Sequence, residues 1–83
     1  MKNCFICGAP YPEIHHIYFG TANRKQSDKY GFIVPLCYDH HRGPNGVHNN
    51  RALDLYLKRL YQKAFEQEHS REEFRRIFGK SYL

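Results

Sequence analysis

The most constraining feature of this chain is a dense set of metal-binding side chains in the segment Pro35 to His48, which reads PLCYDHHRGPNGVH. One cysteine, three histidines and an arginine fall within these fourteen positions. The whole chain has only 83 residues, and a chain this short buries little apolar surface in its core. We therefore expect a fold that a bound metal stabilises, with the other segments supplying partners to this one.

Two half-sites in the chain share the same spacing. Cys4-x-x-Cys7 has the shape of a zinc knuckle, and Cys37-x-x-His40 repeats its two-residue gap. Three thiolates and one imidazole form a tetrahedral set that suits structural zinc. A lone C-x-x-C would equally suit a redox pair or two buried cysteines, but the second half-site favours zinc.

The cysteine count also indicates a compartment. Three cysteines are an odd number, which argues against a closed disulfide framework and for thiolates in a reducing environment. The chain runs almost directly into Cys4, which leaves no room for a signal peptide, and no apolar run is long enough to span a bilayer. We expect a soluble cytoplasmic protein with no membrane partner.

The chain is basic, with 13 lysines and arginines against 8 aspartates and glutamates and a net charge of +5. This balance favours a polyanionic partner, most simply nucleic acid. A basic surface that serves only solubility explains a charge of this size about as well. Charge alone therefore does not choose between the two.

Two short strands and a basic loop are predicted before the dense segment. Glu13–Phe19 and Phe32–Leu36 are rich in β-branched and aromatic residues, which is typical of strands. The polar stretch Gly20–Gly31 between them is predicted to be an exposed loop. Its cations are Arg24, Lys25 and Lys29. These side chains either contact nucleic-acid phosphates or are simply solvated.

Helices are predicted in the second half of the chain. Tyr38–Arg42 can form one helical turn, which the Gly43–Gly46 sequence GPNG ends. Asn49–Gln67 should form an amphipathic helix whose buried stripe comprises Leu53, Leu57, Leu60 and Ala64, flanked by Tyr56, Tyr61 and Phe65. Its opposite face carries the cations Arg51, Lys58, Arg59 and Lys63, which either are solvated or lie along a nucleic-acid backbone.

The C-terminal segment carries a capping signal. Ser70 and Glu73 have the spacing of a capping box, so a short helix should follow. That helix should bury Phe74, Ile77 and Phe78 and end at Gly79, whereas His69 should lie on the surface.

Four histidines remain once the proposed zinc ligands and the surface residue His69 are set aside: His15, His16, His41 and His48. Three imidazoles can hold a metal with open coordination positions while the fourth acts as a general base. Metal-assisted phosphodiester hydrolysis requires this division of roles. The alternatives are a second structural metal site, or a buried hydrogen-bonded pair with two exposed histidines.

At these residues the chain resembles the HNH endonucleases, also called ββα-metal or His-Me finger nucleases. The resemblance is carried by Cys4-x-x-Cys7, by IHHI at Ile14–Ile17 and by LCYDHH at Leu36–His41. It implies an α+β, zinc-stapled ββα-metal fold with C-terminal helices. The chain would be one nuclease domain, residues 1–83, with the zinc knuckle and ββα-metal core in 1–48 and two helices in 49–83.

The resemblance also implies roles for individual residues. Cys37 and His40 would take the second pair of zinc positions, with His40 in place of the usual cysteine. By similarity to the colicin-type DNases, His16 would be the general base, and the catalytic metal would be bound by His15, His41 and His48. Three imidazoles suit Mn, Ni, Co or Zn better than Mg, and Arg42 is the best candidate to bind a phosphate.

The chain departs from the family pattern in two places. No asparagine stands near Phe32, where the middle Asn of the motif is expected, so Asp28 and Asn45 are the available substitutes. The interval between His41 and His48 is also longer than in compact members, because the GPNG sequence is inserted there.

The implied function is that of a metal-dependent DNA endonuclease or nickase that leaves a 5′-phosphate and a 3′-hydroxyl. The chain looks most like small phage-encoded members, including the recombination-enhancement nucleases. Expected partners are DNA and phage or host recombination or packaging proteins, in the host cytoplasm. The alternatives are a non-catalytic zinc module that binds DNA or protein, and a nuclease directed at RNA.

Overall fold

The computed structural model describes residues 3–83, apart from the side chain at position 21. Residues 1 and 2 of the predicted domain lie outside this range. In chain order the elements are β1 (Glu13–His16), α1 (Thr21–Tyr30), β2 (Ile33–Leu36), α2 (Tyr38–His41), α3 (Arg51–Phe65) and α4 (Arg71–Phe78). The architecture is α+β: helices surround a two-stranded antiparallel sheet.

The sheet places two neighbouring histidines on opposite faces. β1 and β2 pair so that His15 lies opposite Val34, and His16 lies opposite Ile33. His15 and Val34 are buried, whereas His16 and Ile33 are half-buried. Alternation along a strand therefore separates the two imidazoles, as their adjacent positions require.

The predicted Gly20–Gly31 loop is wrong, because the segment forms the helix α1. Its interior contains alanine, arginine, lysine and glutamine, which favour helices, and has no glycine or proline. Gly31 does not bound a loop but ends the helix, with a left-handed φ of 74°. The buried Ser27 hydroxyl fixes the helix to the segment just after β1, since it donates to the Tyr18 carbonyl and accepts from the Tyr18 amide.

The GPNG sequence ends α2 and folds back over it. A Cβ at Gly43 or Gly46 would lie 2.7–2.8 Å from the Asp39 carbonyl oxygen, so these positions require glycine. The turn returns the chain to α2, where the Val47 amide donates to the His40 carbonyl at 2.7 Å. His48 is thereby brought back beside His41, with ring centroids 4.9 Å apart.

The helix α3 is shorter than predicted and rotated about its axis. It begins after Asn50, whose side chain caps the Leu53 amide at 3.2 Å. Its buried residues are Leu57, Lys58, Gln62 and Phe65, whereas three members of the predicted stripe or its flanks, Tyr56, Leu60 and Ala64, are exposed.

Two polar residues of α3 are buried because each has partners. Gln62 accepts from the Tyr82 amide and donates to Ser81 and Glu66. Lys58 was predicted on the solvated face, but it is 9% exposed and pairs with Asp54 at 3.0 Å. A paired or hydrogen-bonded polar group can be buried without the penalty of an unsatisfied one.

The predicted C-terminal helix is confirmed as α4. Ser70 caps the Glu73 amide at 3.0 Å, Phe74 and Phe78 are buried, and Gly79 ends the helix with a φ of 92°. His69 is exposed, as expected, and its Nδ1 lies 3.3 Å from Glu73.

An aromatic core joins the C-terminal helices to the hairpin. Tyr18 is buried at its centre, and its ring packs 5.2 Å from Phe74 and 4.4 Å from Phe78 between centroids. Its hydroxyl donates to the Lys58 carbonyl at 2.6 Å, and burial raises the pKa of this tyrosine. The core thus sets the position of α3 relative to the sheet.

Candidate functional site

The structure brings together the four residues whose spacing suggested a zinc site. The candidate ligand atoms of Cys4, Cys7, Cys37 and His40 lie within 4.8 Å of one another. The Sγ atoms of Cys7 and Cys37 are 3.7 Å apart, and Cys37 Sγ lies 3.2 Å from His40 Nδ1. Two thiolates bound tetrahedrally at about 2.3 Å from zinc would be roughly 3.8 Å apart, so the group fits a single zinc ion.

Backbone groups prepare this cluster for a metal. Burial raises the pKa of Cys4, but backbone N–H groups of Cys37, Cys7 and Ile6 outweigh it and lower the pKa to about 6. The Phe5 amide donates to the Pro35 carbonyl at 2.8 Å and so ties the first knuckle to β2. The thiolate form that zinc requires is therefore favoured at Cys4.

A second cluster is formed by His15, His41 and His48, whose candidate ligand nitrogens also lie within 4.8 Å of one another. The three ring centroids are separated by 4.9–5.2 Å. His15 comes from β1, His41 from α2, and His48 from the turn that precedes α3. The convergence depends on the GPNG turn, because this turn returns His48 to α2.

His15 is poised to bind a metal through a buried nitrogen. The residue is 2% exposed, and its Nε2 has no hydrogen-bond partner among residues 3–83. Burial and the neighbouring His48 and His41 lower its pKa to about 3, so the imidazole stays neutral. A buried polar atom without a partner is costly unless a ligand satisfies it, and a neutral imidazole is the form that binds metals.

Glu13 fixes the orientation of His41. Its carboxylate Oε1 lies 2.7 Å from His41 Nδ1, which must be the donor because an ionised carboxylate only accepts. The Nε2 atom of His41 is therefore left for a metal, in the carboxylate–histidine arrangement of many metal sites. The His41 hydrogen bond, aided by Arg42, holds the pKa of Glu13 below its usual range.

His48 is the most accessible member of the His15–His41–His48 cluster. Burial and the neighbouring His41 lower its pKa, while Asp54 opposes the shift. A lowered pKa keeps this imidazole neutral near pH 7 as well. His15 and His48 are thus suited to bind a cation, and the Glu13 contact leaves Nε2 of His41 available beside them.

His16 lies in the same cavity but outside the three-histidine cluster. Its Nε2 is 2.8 Å from Asp28 Oδ1, on α1. Asp28 was one of two substitutes for the missing asparagine; the other, Asn45, lines a different cavity beside His40 and Pro44. The contact with Asp28 orients the His16 imidazole.

The cavity at this site has a volume of about 250 Å³ and contains all four histidines considered above. Arg24 and Arg42 also line it, together with Ile14 and Phe19. Arg42 has a 61% exposed side chain, and its Nε lies 3.1 Å from Glu13. A small concave site lined by imidazoles and two arginines fits an anionic group such as a phosphate.

The remaining predicted nucleic-acid contacts are spread more widely. Arg51 lines a second cavity that shares Phe19 and His48 with the first. Lys25 and Lys29 are exposed on α1, outside the lining of either cavity. Arg24 is therefore the member of the predicted loop set that the structure places beside the histidines.

Sequence reasoning missed Glu13 and Lys58 as parts of this site. Glu13 stands two positions before His15 in a strand, so period-two alternation could have placed both on one face. Lys58 Nζ lies 4.3 Å from the Phe19 ring centroid, a contact between distant segments with no signal in the sequence.

Among residues 3–83, no helix combines the length and apolar character needed to cross a membrane. No family model, curated protein or solved structure matches the chain.

Proposed function

We propose that this protein is a metal-dependent DNA endonuclease or nickase of the HNH class, with a ββα-metal fold. The observation that carries the proposal is the convergence of His15, His41 and His48 beside an independently held histidine, His16, in one cation-lined cavity. This arrangement separates metal binding from proton transfer. Metal-assisted hydrolysis of a phosphodiester needs both functions at one site.

The order of the elements also supports this proposal. The antiparallel strands β1 and β2 are followed by α2, which carries His41. In this interpretation α1 is an insertion between the two strands, and it contributes Asp28 and Arg24. The Cys4, Cys7, Cys37 and His40 cluster then serves as the structural zinc site that holds the hairpin to α2.

His15, His41 and His48 would hold the catalytic ion, for which Mn, Ni, Co or Zn suits three imidazoles better than Mg. Such an ion supplies Lewis-acid stabilisation of the charge that develops on the phosphate and the leaving oxygen. The unpartnered Nε2 of His15 and the carboxylate-bound Nδ1 of His41 are the observations that fit a metal here.

His16 acts as the general base in this proposal. Asp28 accepts a hydrogen bond from Nε2 of His16, which leaves Nδ1 to take a proton from the attacking water. Asp28 also stabilises the imidazolium that results from this transfer. Arg42, held by Glu13, and Arg24 bind the phosphate that enters the cavity.

Cleavage of supercoiled plasmid DNA tests the proposal. Protein stripped of loosely bound metal is supplied with Mg, Mn, Ni, Co or Zn singly, and nicked product is measured on a gel. We expect a transition metal to support nicking, and His16→Ala to reduce its rate by about 10²- to 10⁴-fold. His69→Ala is the matched control, because that histidine is exposed on the surface near α4.

Binding without turnover would overturn the proposal. If plasmid stays intact with every metal while the protein binds it in a salt-dependent manner, the non-catalytic zinc module is the correct function. Equal nicking by wild type and His16→Ala would retain a nuclease but exclude His16 as its base.

A further inference from the structure

Phe19 is an exposed aromatic residue at the mouth of the histidine cavity. It is 42% exposed although it directly follows the buried residues Ile17 and Tyr18. Its ring centroid lies 5.9 Å from that of His15 and 5.4 Å from that of His48. Both imidazoles meet the ring at tilted angles of 56° and 60°, so neither is stacked on it.

Phe19 also lies where two cavities join. The first, of about 250 Å³, contains the four histidines with Arg24 and Arg42. The second, of about 490 Å³, contains Arg51 at the start of α3. Phe19 and His48 line both cavities, so the two cavities adjoin at these residues. We call the two cavities together the trough; Arg24 and Arg42 line its first part with the histidines, and Arg51 lines its second part.

The Lys58 side chain holds the ring of Phe19 in place from one face. Lys58 Nζ lies 4.3 Å from the ring centroid, and Lys58 itself is buried and paired with Asp54 at 3.0 Å. The ion pair also offsets the charge of Asp54, which lines the second cavity. A fixed aromatic ring loses little conformational entropy when a ligand stacks on it.

We propose that Phe19 is a stacking platform for an unpaired base, and that the preferred substrate is single-stranded or locally unpaired DNA. The proposal rests on the nuclease function above and extends it to the class of substrate. One strand would run along the trough, with phosphates at the arginines and a base next to the scissile phosphate on Phe19. Aromatic stacking of this kind is tolerant of sequence, because every base presents a π-face.

Duplex DNA cannot use this platform without distortion. In a duplex both faces of each base are covered by neighbouring bases, so contact with Phe19 requires the base to be extruded at an energetic cost. Unpaired DNA does not bear this cost. The platform therefore predicts a preference for unpaired strands, in addition to whatever affinity the cations give to any DNA.

Binding of a single-stranded oligonucleotide with 2-aminopurine at its centre tests the platform separately from catalysis. We use the His16→Ala protein, in which cleavage is expected to be minimal, and compare it with the same protein carrying Phe19→Leu. Stacking of 2-aminopurine on Phe19 should quench its fluorescence when the oligonucleotide binds. In the Phe19→Leu protein this quenching should be lost, and the affinity for the oligonucleotide should fall by about tenfold. Tyr56→Leu is the control, since Tyr56 is an exposed aromatic residue of α3 that lines a different cavity.

Cleavage then tests the preference itself. Wild type should cut the single strand faster than the matched duplex, Phe19→Leu should bring the two rates together, and Phe19→Trp should restore the difference. If Phe19→Leu lowers both rates by the same factor and leaves the quenching intact, the platform is wrong while the nuclease stands. If quenching depends on Phe19 but no DNA is cleaved, the proposed nuclease function is wrong and the stacking site stands.

Discussion

The two candidate metal-binding clusters of this protein meet at α2 but differ in the chemistry of their donors. His40 and His41 are adjacent, yet the first belongs to the group with three cysteines and the second to the group of three histidines. Three thiolates overcompensate the charge of a divalent ion and, with His40, complete a tetrahedral shell. Three neutral imidazoles leave the full charge of the ion and open positions for ligands.

This contrast explains why one cluster suits structure and the other suits chemistry. The cysteine cluster joins the N-terminal knuckle to the segment after β2, and its donors are all supplied by the chain. The histidine cluster opens into a cavity with Arg24, Arg42 and His16. The local backbone decides the difference, because one turn of α2 directs its two neighbouring histidines to different sites.

The largest expected effect comes from breaking the cysteine cluster. Cys37→Ser removes one thiolate from the cysteine cluster. Metal binding at a structural zinc site contributes on the order of 10 kcal/mol or more to the free energy of folding. We expect the variant to lose cooperative thermal unfolding in circular dichroism. His41→Ala, which removes a ligand from the other cluster, should retain a cooperative transition and lose cleavage. Equal loss of folding in both variants would remove the distinction between the clusters.

A second prediction concerns the carboxylate behind His41. Glu13→Gln weakens the acceptor for His41 Nδ1 and removes the charge that faces Arg42. We expect the affinity for the catalytic ion to fall by about 10- to 100-fold, as measured by calorimetric titration with Mn or Co. Glu66→Gln is the matched control, since Glu66 pairs with Arg71 instead. Unchanged affinity in Glu13→Gln would mean that the Glu13–His41 contact does not support metal binding.

A third prediction concerns the positioning of the base. Asp28 is a 62% exposed carboxylate whose described side-chain partner is His16, so Asp28→Ala should leave the melting temperature nearly unchanged. We expect kcat to fall by about tenfold with little change in KM, because orientation of the base matters only as the proton moves. Glu72→Ala, at an exposed carboxylate of α4, should behave as wild type. A fall in stability or a rise in KM alone would contradict this role.

The smallest effect is a dependence of stability on pH without catalytic metal. Burial lowers the folded-state pKa of His15 to about 3 from 6.5, so the unfolded chain binds the proton first. This imidazole therefore favours unfolding as the pH falls below 6.5, by up to about 1.4 kcal/mol per pH unit, and has no effect above it.

Urea unfolding of wild type and His15→Leu at pH 6.5 and 5.5 measures this effect. Subtracting the two slopes isolates His15, because any titration of the cysteine cluster is common to both proteins. Parallel slopes in the two proteins would show that the His15 site is solvated when free of metal.

Several features were predictable because they depend on neighbouring residues. The Ser70 cap and the Gly79 stop of α4 follow from local hydrogen bonding and backbone conformation. The pairing of two half-sites with equal spacing follows from the geometry of zinc ligation. In contrast, α1 was mistaken for a loop because its polar composition outweighed its helix propensity in the prediction.

By itself the sequence determined which donors are available, their spacing within each turn, and the strand alternation that separates His15 from His16. Only the tertiary structure decided that His48 returns to His41, that Asp28 meets His16, and that Lys58 is buried beneath Phe19. The physical reason is the distance along the sequence over which each interaction acts. Spacing and alternation act over a few residues, whereas these contacts join segments whose distance is set by a folded turn, an inserted helix and a shared core.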